Sequence, residues 1–162
     1  MLKMFEKLIT ETSKGIIKAD NHKADFREYL PCESKKHQLK GTIFEGQFFI
    51  ISPVWPYDDR YLEKTFNSTP FNVDVMLNDF YESEREIVTK YSITRSDNYY
   101  SGKKDLVKLE TDNRHAYISG EWFKMIKDDL SDIQIYIKDE KTPLVIKWYG
   151  NIVSVIMPIK VV

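Results

Sequence analysis

A single cysteine, Cys32, stands in 162 residues. That excludes an internal disulfide framework and any all-cysteine metal site, and it fits a reducing, cytoplasmic compartment. No stretch reaches the roughly 18 apolar residues of a membrane span. The opening Met1-Leu2-Lys3-Met4-Phe5-Glu6-Lys7 has charges where a secretory leader needs an apolar core. The six glycines are scattered, so neither GxGxxG nor GxxxxGK[ST] occurs. Nucleophile-elbow and HExxH patterns are missing as well. Charge of one sign is also lacking: 24 Lys and Arg against 25 Asp and Glu give a net charge of -1. Any basic surface must therefore be local. A chain of this length buries roughly 70% of its unfolded surface and needs no staples to fold. The expectation is a soluble, cytoplasmic protein of one domain, with no membrane association.

Residues 2–18 read as a helix. At about 100° per residue, Phe5, Leu8, Ile9, Thr12 and Ile16 share a sector roughly 100° wide. Lys3, Lys7, Lys14 and Lys18 fall nearly opposite, with Glu11 intruding. The lysine stripe runs over roughly 22 Å of helix at about 1.5 Å per residue. From Asn21 to Gln38 the pattern dissolves into mostly loop. Thr42-Ile43-Phe44 and Phe48-Phe49-Ile50-Ile51, joined through Gly46, predict a hairpin. Ser52–Pro70 reads as an exposed excursion, with a helical turn possible at Arg60–Phe66. Phe71–Leu77 alternates as a half-buried strand does. Glu86–Thr94 and Leu106–Leu109 read as strands separated by a turn at Tyr99–Lys103.

The last third is the most regular. Ala116-Tyr117-Ile118 precedes Ser119, a good N-cap, and a helix to Leu130 whose apolar face is Phe123, Ile126 and Leu130. Lys124 and Lys127 lie off that face. Ile133–Ile137, Leu144–Trp148 and Ile152–Ile159 read as three successive strands, the last two joined by the tight turn Tyr149-Gly150-Asn151. The fold class expected is α+β: antiparallel sheets with two helices on one face, in two strand–helix–strand repeats over about residues 1–109 and 110–162. What repeats is the order of elements, with no sequence repeat.

Catalysis finds little support. His22, Cys32 and His37 match no zinc spacing and read as surface residues of a polar loop. Asp58-Asp59 with Glu63-Lys64, or Glu82, Glu84 and Glu86, are the carboxylate sets a metal-dependent nuclease would need. Neither is spaced to converge on an ion, and both read as charged loop rims. The expectation is no enzyme, no cofactor and no metal. Lysines on two helices can form a diffuse surface for phosphates, sequence-independent and salt-sensitive. The same stripe also reads as an ordinary solvated helix face.

The run of helix Glu121–Leu130, strand Ile133–Ile137, Pro143-Leu144-Val145-Ile146, a hairpin, and Val155-Ile156-Met157-Pro158-Ile159-Lys160-Val161 resembles the end of a DNA sliding clamp. The likeness is to the final repeat of the bacterial beta clamp and of proliferating cell nuclear antigen. It covers about residues 105–162, reaches the first helix through its position and basic face, and fades between Asn21 and Tyr100. The resemblance implies a clamp-like domain whose Lys3, Lys7, Lys14, Lys18, Lys124 and Lys127 face double-stranded DNA. It implies that Met157, Pro158 and Ile159 line a pocket for a short peptide of a DNA polymerase or other replication protein. It also implies assembly into a homo-oligomer. The same three tail residues equally read as the buried end of the last strand. Ring clamps combine several such domains, whereas this chain is long enough for one, and Asn21–Lys40 and Pro53–Phe66 have no counterpart. The alternative is an α+β protein-interaction module with no DNA role, presenting Trp55, Tyr57, Tyr61 and Phe66 as anchors.

Overall fold

The computed structural model describes residues 2–4, 29–44, 48–52, 71–96 and 104–160. Strands β1 (Tyr29–Ser34), β2 (Leu39–Phe44) and β3 (Phe48–Ser52) form an antiparallel meander. β4 (Phe71–Asn72) adds to β1 in parallel, which makes the sheet mixed where wholly antiparallel sheets were expected. Helix α1 (Asp74–Glu82) and β5 (Glu86–Ile87) follow, then β6 (Lys90–Ser96), β7 (Lys104–Glu110) and β8 (His115–Ser119). The chain ends with helix α2 (Gly120–Ile126), a 3-10 turn over Lys127–Asp129, and strands β9 (Ile133–Ile137), β10 (Leu144–Trp148) and β11 (Asn151–Ile156).

Eight strands make one sheet in the order β4-β1-β2-β3-β11-β10-β9-β5. Its centre is two three-stranded meanders, β1-β2-β3 and β9-β10-β11, that meet where β3 pairs antiparallel with β11. β6-β7-β8 form a second, antiparallel sheet. Side-chain alternation gives the large sheet two buried faces. Phe48 and Ile50 point into one core, with Ile133, Ile135 and Ile137, beneath β7, β8 and α2. Phe49 and Ile51 point into the other, against Val73, Leu77 and Phe80 of the α1 segment. A bulge between Ile146 and Lys147 keeps the two-face pattern in register. It lets Val153 and Ile156 reach the first core while Ile152 and Val155 reach the second.

Several expectations are corrected. The alternating stretch Phe71–Leu77 is a two-residue strand followed by α1, because Val73, Leu77 and Phe80 recur at helical spacing and are the residues that bury. Val75, which completes the alternation, is 78% exposed. The Asn72 side chain takes the Asp74 N–H (2.8 Å) and so starts the helix. Part of the expected loop Asn21–Gln38 is β1. Its Pro31 lies just before Cys32 and Glu33, the residues that pair with two-residue β4. Glu86–Thr94 is two strands in different sheets. The chain crosses over where Val88 N–H bonds Ile135 O of one sheet and Thr89 N–H bonds Glu110 O of the other.

The second half follows its reading, except that the helix gives way to a 3-10 turn after Ile126 and the last strand ends at Ile156, short of the expected Ile159. Ser119 caps α2, its hydroxyl accepting the Glu121 N–H. The β10–β11 turn has positive φ at both Tyr149 (48°) and Gly150 (79°), as a two-residue hairpin loop of this hand requires. Lys3 and Met4 are helical, but the rest of the expected helix 2–18 lies outside the described residues, as do 53–70 and the turn Tyr99–Lys103. α1, a helix the sequence reading did not expect, sits across the large sheet from α2. No described helix is long and apolar enough to cross a membrane.

Candidate functional site

The surface built by α2 begins with its packing. Gly120 sits so close to β7 that a Cβ there would meet the Asp105 Cβ at 3.0 Å. Trp122, Phe123 and Ile126 bury, and Phe48 stacks on Trp122 at 5.4 Å. That leaves Lys124 and Lys127 exposed on the outer side of the helix, as expected, in company with Glu121 and Asp128.

The start of the chain joins the same layer. Leu2 and Met4 bury in the core that holds α2. The backbone N–H groups of Lys3 and Met4 donate to the two carboxyl oxygens of Asp129, at 2.7 and 2.8 Å. Asp129, only 2% exposed, thus caps a helical segment from the far end of the sequence. It places exposed Lys3 on the layer that carries Lys124 and Lys127. Lys7, Lys14 and Lys18 lie outside the described residues.

Beside α2, a pocket of about 240 Å³ opens between the helix and β6. Its apolar lining is Ile93, Val107 and Phe123, and Tyr91 packs on Phe123 at 4.9 Å. Tyr91 is 52% and Ile93 61% exposed. Sequence reasoning missed both residues. It placed them in a strand, but which strand lies at the sheet's margin depends on non-local pairing.

The tail residues do not share one environment. Met157 is half-buried against the second core, and Pro158 is half-buried. Ile159 is buried, its N–H donating to Tyr117 O of β8 at 2.7 Å.

Of the described residues weighed for catalysis, Glu82 and Glu84 are exposed and the others are held in the structure. Cys32 is buried, and burial, then the Glu33 charge, pushes its thiol far above its ordinary value, which makes it a poor nucleophile. His37 packs on Tyr81 at 5.1 Å. Glu86 accepts from Thr111 Oγ1 (2.6 Å) and Asn113 Nδ2 (3.1 Å), and these hydrogen bonds hold its carboxyl below the usual range. Arg114 lies 3.6 Å from Glu86 and 3.9 Å from Glu84. Across the large sheet, the Arg85 side chain is 3% exposed. It donates to Asp79 (3.0 Å) and to Pro143 O (2.7 Å), fastening the end of α1 to the β9–β10 connection. Burial raises the Asp79 carboxyl, but the Lys138 ammonium and the Ser83 hydroxyl bonded to it bring the net position below the ordinary value. Lys147 sits over the Phe80, Tyr81 and Tyr136 rings at 5.1, 5.8 and 5.8 Å. Among the described residues no group of three His, Cys, Asp or Glu is arranged to hold a metal ion. His22, the Asp58-Asp59 pair and the aromatics Trp55 to Phe66 lie outside the described residues.

No protein-family model, curated protein or solved structure matches this chain.

Proposed function

We propose that this chain is a non-enzymatic, clamp-like accessory factor of DNA replication. In this reading it contacts duplex DNA without sequence preference through the lysines of the α2 layer. The observation that carries it is the Asp129 tie. It brings the helical start of the chain and α2 onto one core, beside two meanders that meet at β3 and β11, and both segments carry exposed lysines: Lys3 on the first, Lys124 and Lys127 at the second. Lysines spread along a surface meet phosphates as point charges, with no base edge to read. Lys7, Lys14 and Lys18, which share a sequence stripe with Lys3, are further candidate phosphate contacts in this proposal. Half-buried Met157 and Pro158, anchored by Ile159, are the proposed seat for a short peptide of a polymerase or other replication enzyme. Several copies together would be needed to encircle a duplex.

Lys124→Glu combined with Lys127→Glu tests the reading. Both side chains are exposed, so the melting temperature should hold. Duplex affinity at low salt, followed by fluorescence anisotropy, should fall about tenfold or more, because two phosphate contacts become repulsions. An unchanged affinity would remove α2 from any DNA interface. The second reading is a protein-interaction module without a DNA role. It is favoured by the alternation of acids and lysines along the outer side of α2 and by the exposed Tyr91 and Ile93 beside it.

A further inference from the structure

Unpaired strand edges are templates for further pairing, and proteins blunt them by shortening or covering. Three of the four sheet margins here are blunted. β4 and β5, which end the large sheet, have two residues each. β8, at one margin of the small sheet, is met by the tail through the Ile159 N–H to Tyr117 O bond. The fourth margin is β6, seven residues long, with a partner strand on one side only among the described residues. Lys90 to Thr94 are all exposed along it. This is also the strand whose Ile93 lines the pocket beside α2 and whose Tyr91 packs on the pocket residue Phe123.

From this coincidence we infer that β6 and the adjoining pocket form a docking groove for an extended segment of a partner protein. The segment adds as a strand to β6 and places one apolar side chain against Ile93, Val107 and Phe123. Main-chain bonds to an edge strand supply affinity, and a pocket for an alternate side chain supplies selectivity. A volume of about 240 Å³ accommodates one large aliphatic or aromatic side chain.

Charge sets the segment's direction. α2 starts beside Asp105, which is opposite Arg95 in the β6–β7 ladder, and Phe123 lies against Tyr91. The helix therefore runs antiparallel to β6, with Glu121 at one end of the groove and Lys127 towards the other. A segment adding antiparallel to β6 fits with basic residues first, an apolar centre and acidic residues last. A second copy of this chain fits less well. Its own Ile93 already lines its own pocket, so edge-to-edge pairing would bring two unfilled pockets together. The inference is independent of DNA contact, and its test turns on Ile93, which no phosphate contact needs.

The probe is a fluorescein-labelled peptide of about ten residues with two lysines first, Val-Leu-Val in the middle and two glutamates last. The controls are the peptide of reversed polarity and one with proline at its centre, which cannot extend a ladder. The expected result is saturable binding of the first peptide, at least tenfold weaker binding of both controls, and slowed amide exchange along Lys90–Ser96 on binding. Ile93→Glu should weaken binding at least tenfold with an unchanged melting temperature, since Ile93 is mostly exposed. Ile93→Thr, which keeps the β-branch, serves if the glutamate variant folds poorly. Binding equal in the Ile93 variants, no saturation by about 1 mM (roughly 4 kcal/mol of binding), or protection confined to other strands would overturn the inference. Self-association lost in Ile93→Glu would overturn it too, assigning the edge to a second copy.

Discussion

Gly41→Ala should unfold the protein or cost it most of its stability. Gly41 lies in β2 opposite Ile51 of β3. A Cβ at this position would fall 1.8 Å from Ile50 O, 2.7 Å from Ile50 C and 2.8 Å from Ile51 Cα. All three are backbone atoms, so no rotamer change relieves the overlap. The strands must part instead, and β3 is the strand that joins the two meanders through β11. Ile50 and Ile51 are fully buried on opposite faces, so separation at this point opens both cores at once. Overpacking a core costs about 1–3 kcal/mol where side chains can yield. Here the expected loss is about 4 kcal/mol or more, a large part of a typical total of about 5–15. Urea denaturation measures it directly. A loss below about 1 kcal/mol would mean that β2 and β3 are not paired in this register.

Asp129→Ala should be nearly as damaging, by a different route. The substitution deletes both acceptors and leaves the buried N–H of Met4 and the part-buried N–H of Lys3 without them. An unsatisfied buried donor costs about 1–3 kcal/mol, and since the Met4 donor is buried and the Lys3 donor only partly so, the expected loss is about 2–4 kcal/mol. Asp129→Asn keeps one acceptor and should lose about half as much. Because the damage is local to the tie, amide exchange at Lys3 and Met4 should quicken beyond what the global change explains. If those two amides exchange alike in the wild type and in Asp129→Ala, the tie does not hold the start of the chain in solution.

The fold was readable from the sequence where one strong pattern met one answer. Ile133, Ile135 and Ile137 alternate strictly and bury on one face. Ser119 precedes a helical run with no competing period, and Tyr149-Gly150 has only a tight turn available to it. Reading failed where two periods fit the same residues. Phe71 to Val75 alternate like a strand, while Val73, Leu77 and Phe80 carry the helical spacing that packing selects, leaving Val75 in solvent. It failed again at Val88 and Thr89, because the chain stays extended there and only the identity of its partner strand changes. The candidate site divides in the same way. Lys124 and Lys127 were legible as off-face positions of an amphipathic helix. Asp129 was not, since its acceptors serve donors at the opposite end of the chain. Nor was the margin at β6, which among the described residues has a partner strand on one side only because other strands take other places.

The central claim, non-specific duplex contact by the lysines of the α2 layer, is tested most directly by duplex affinity across a range of salt concentrations. Each phosphate neutralised contributes about −0.9 to the slope of log affinity against log salt. Contacts from Lys3, Lys124 and Lys127 alone predict a slope of about −2 to −3, and duplexes of unrelated sequence should give the same value. A slope near zero, or no binding even at low salt, would contradict the claim and leave the chain as a protein-interaction module.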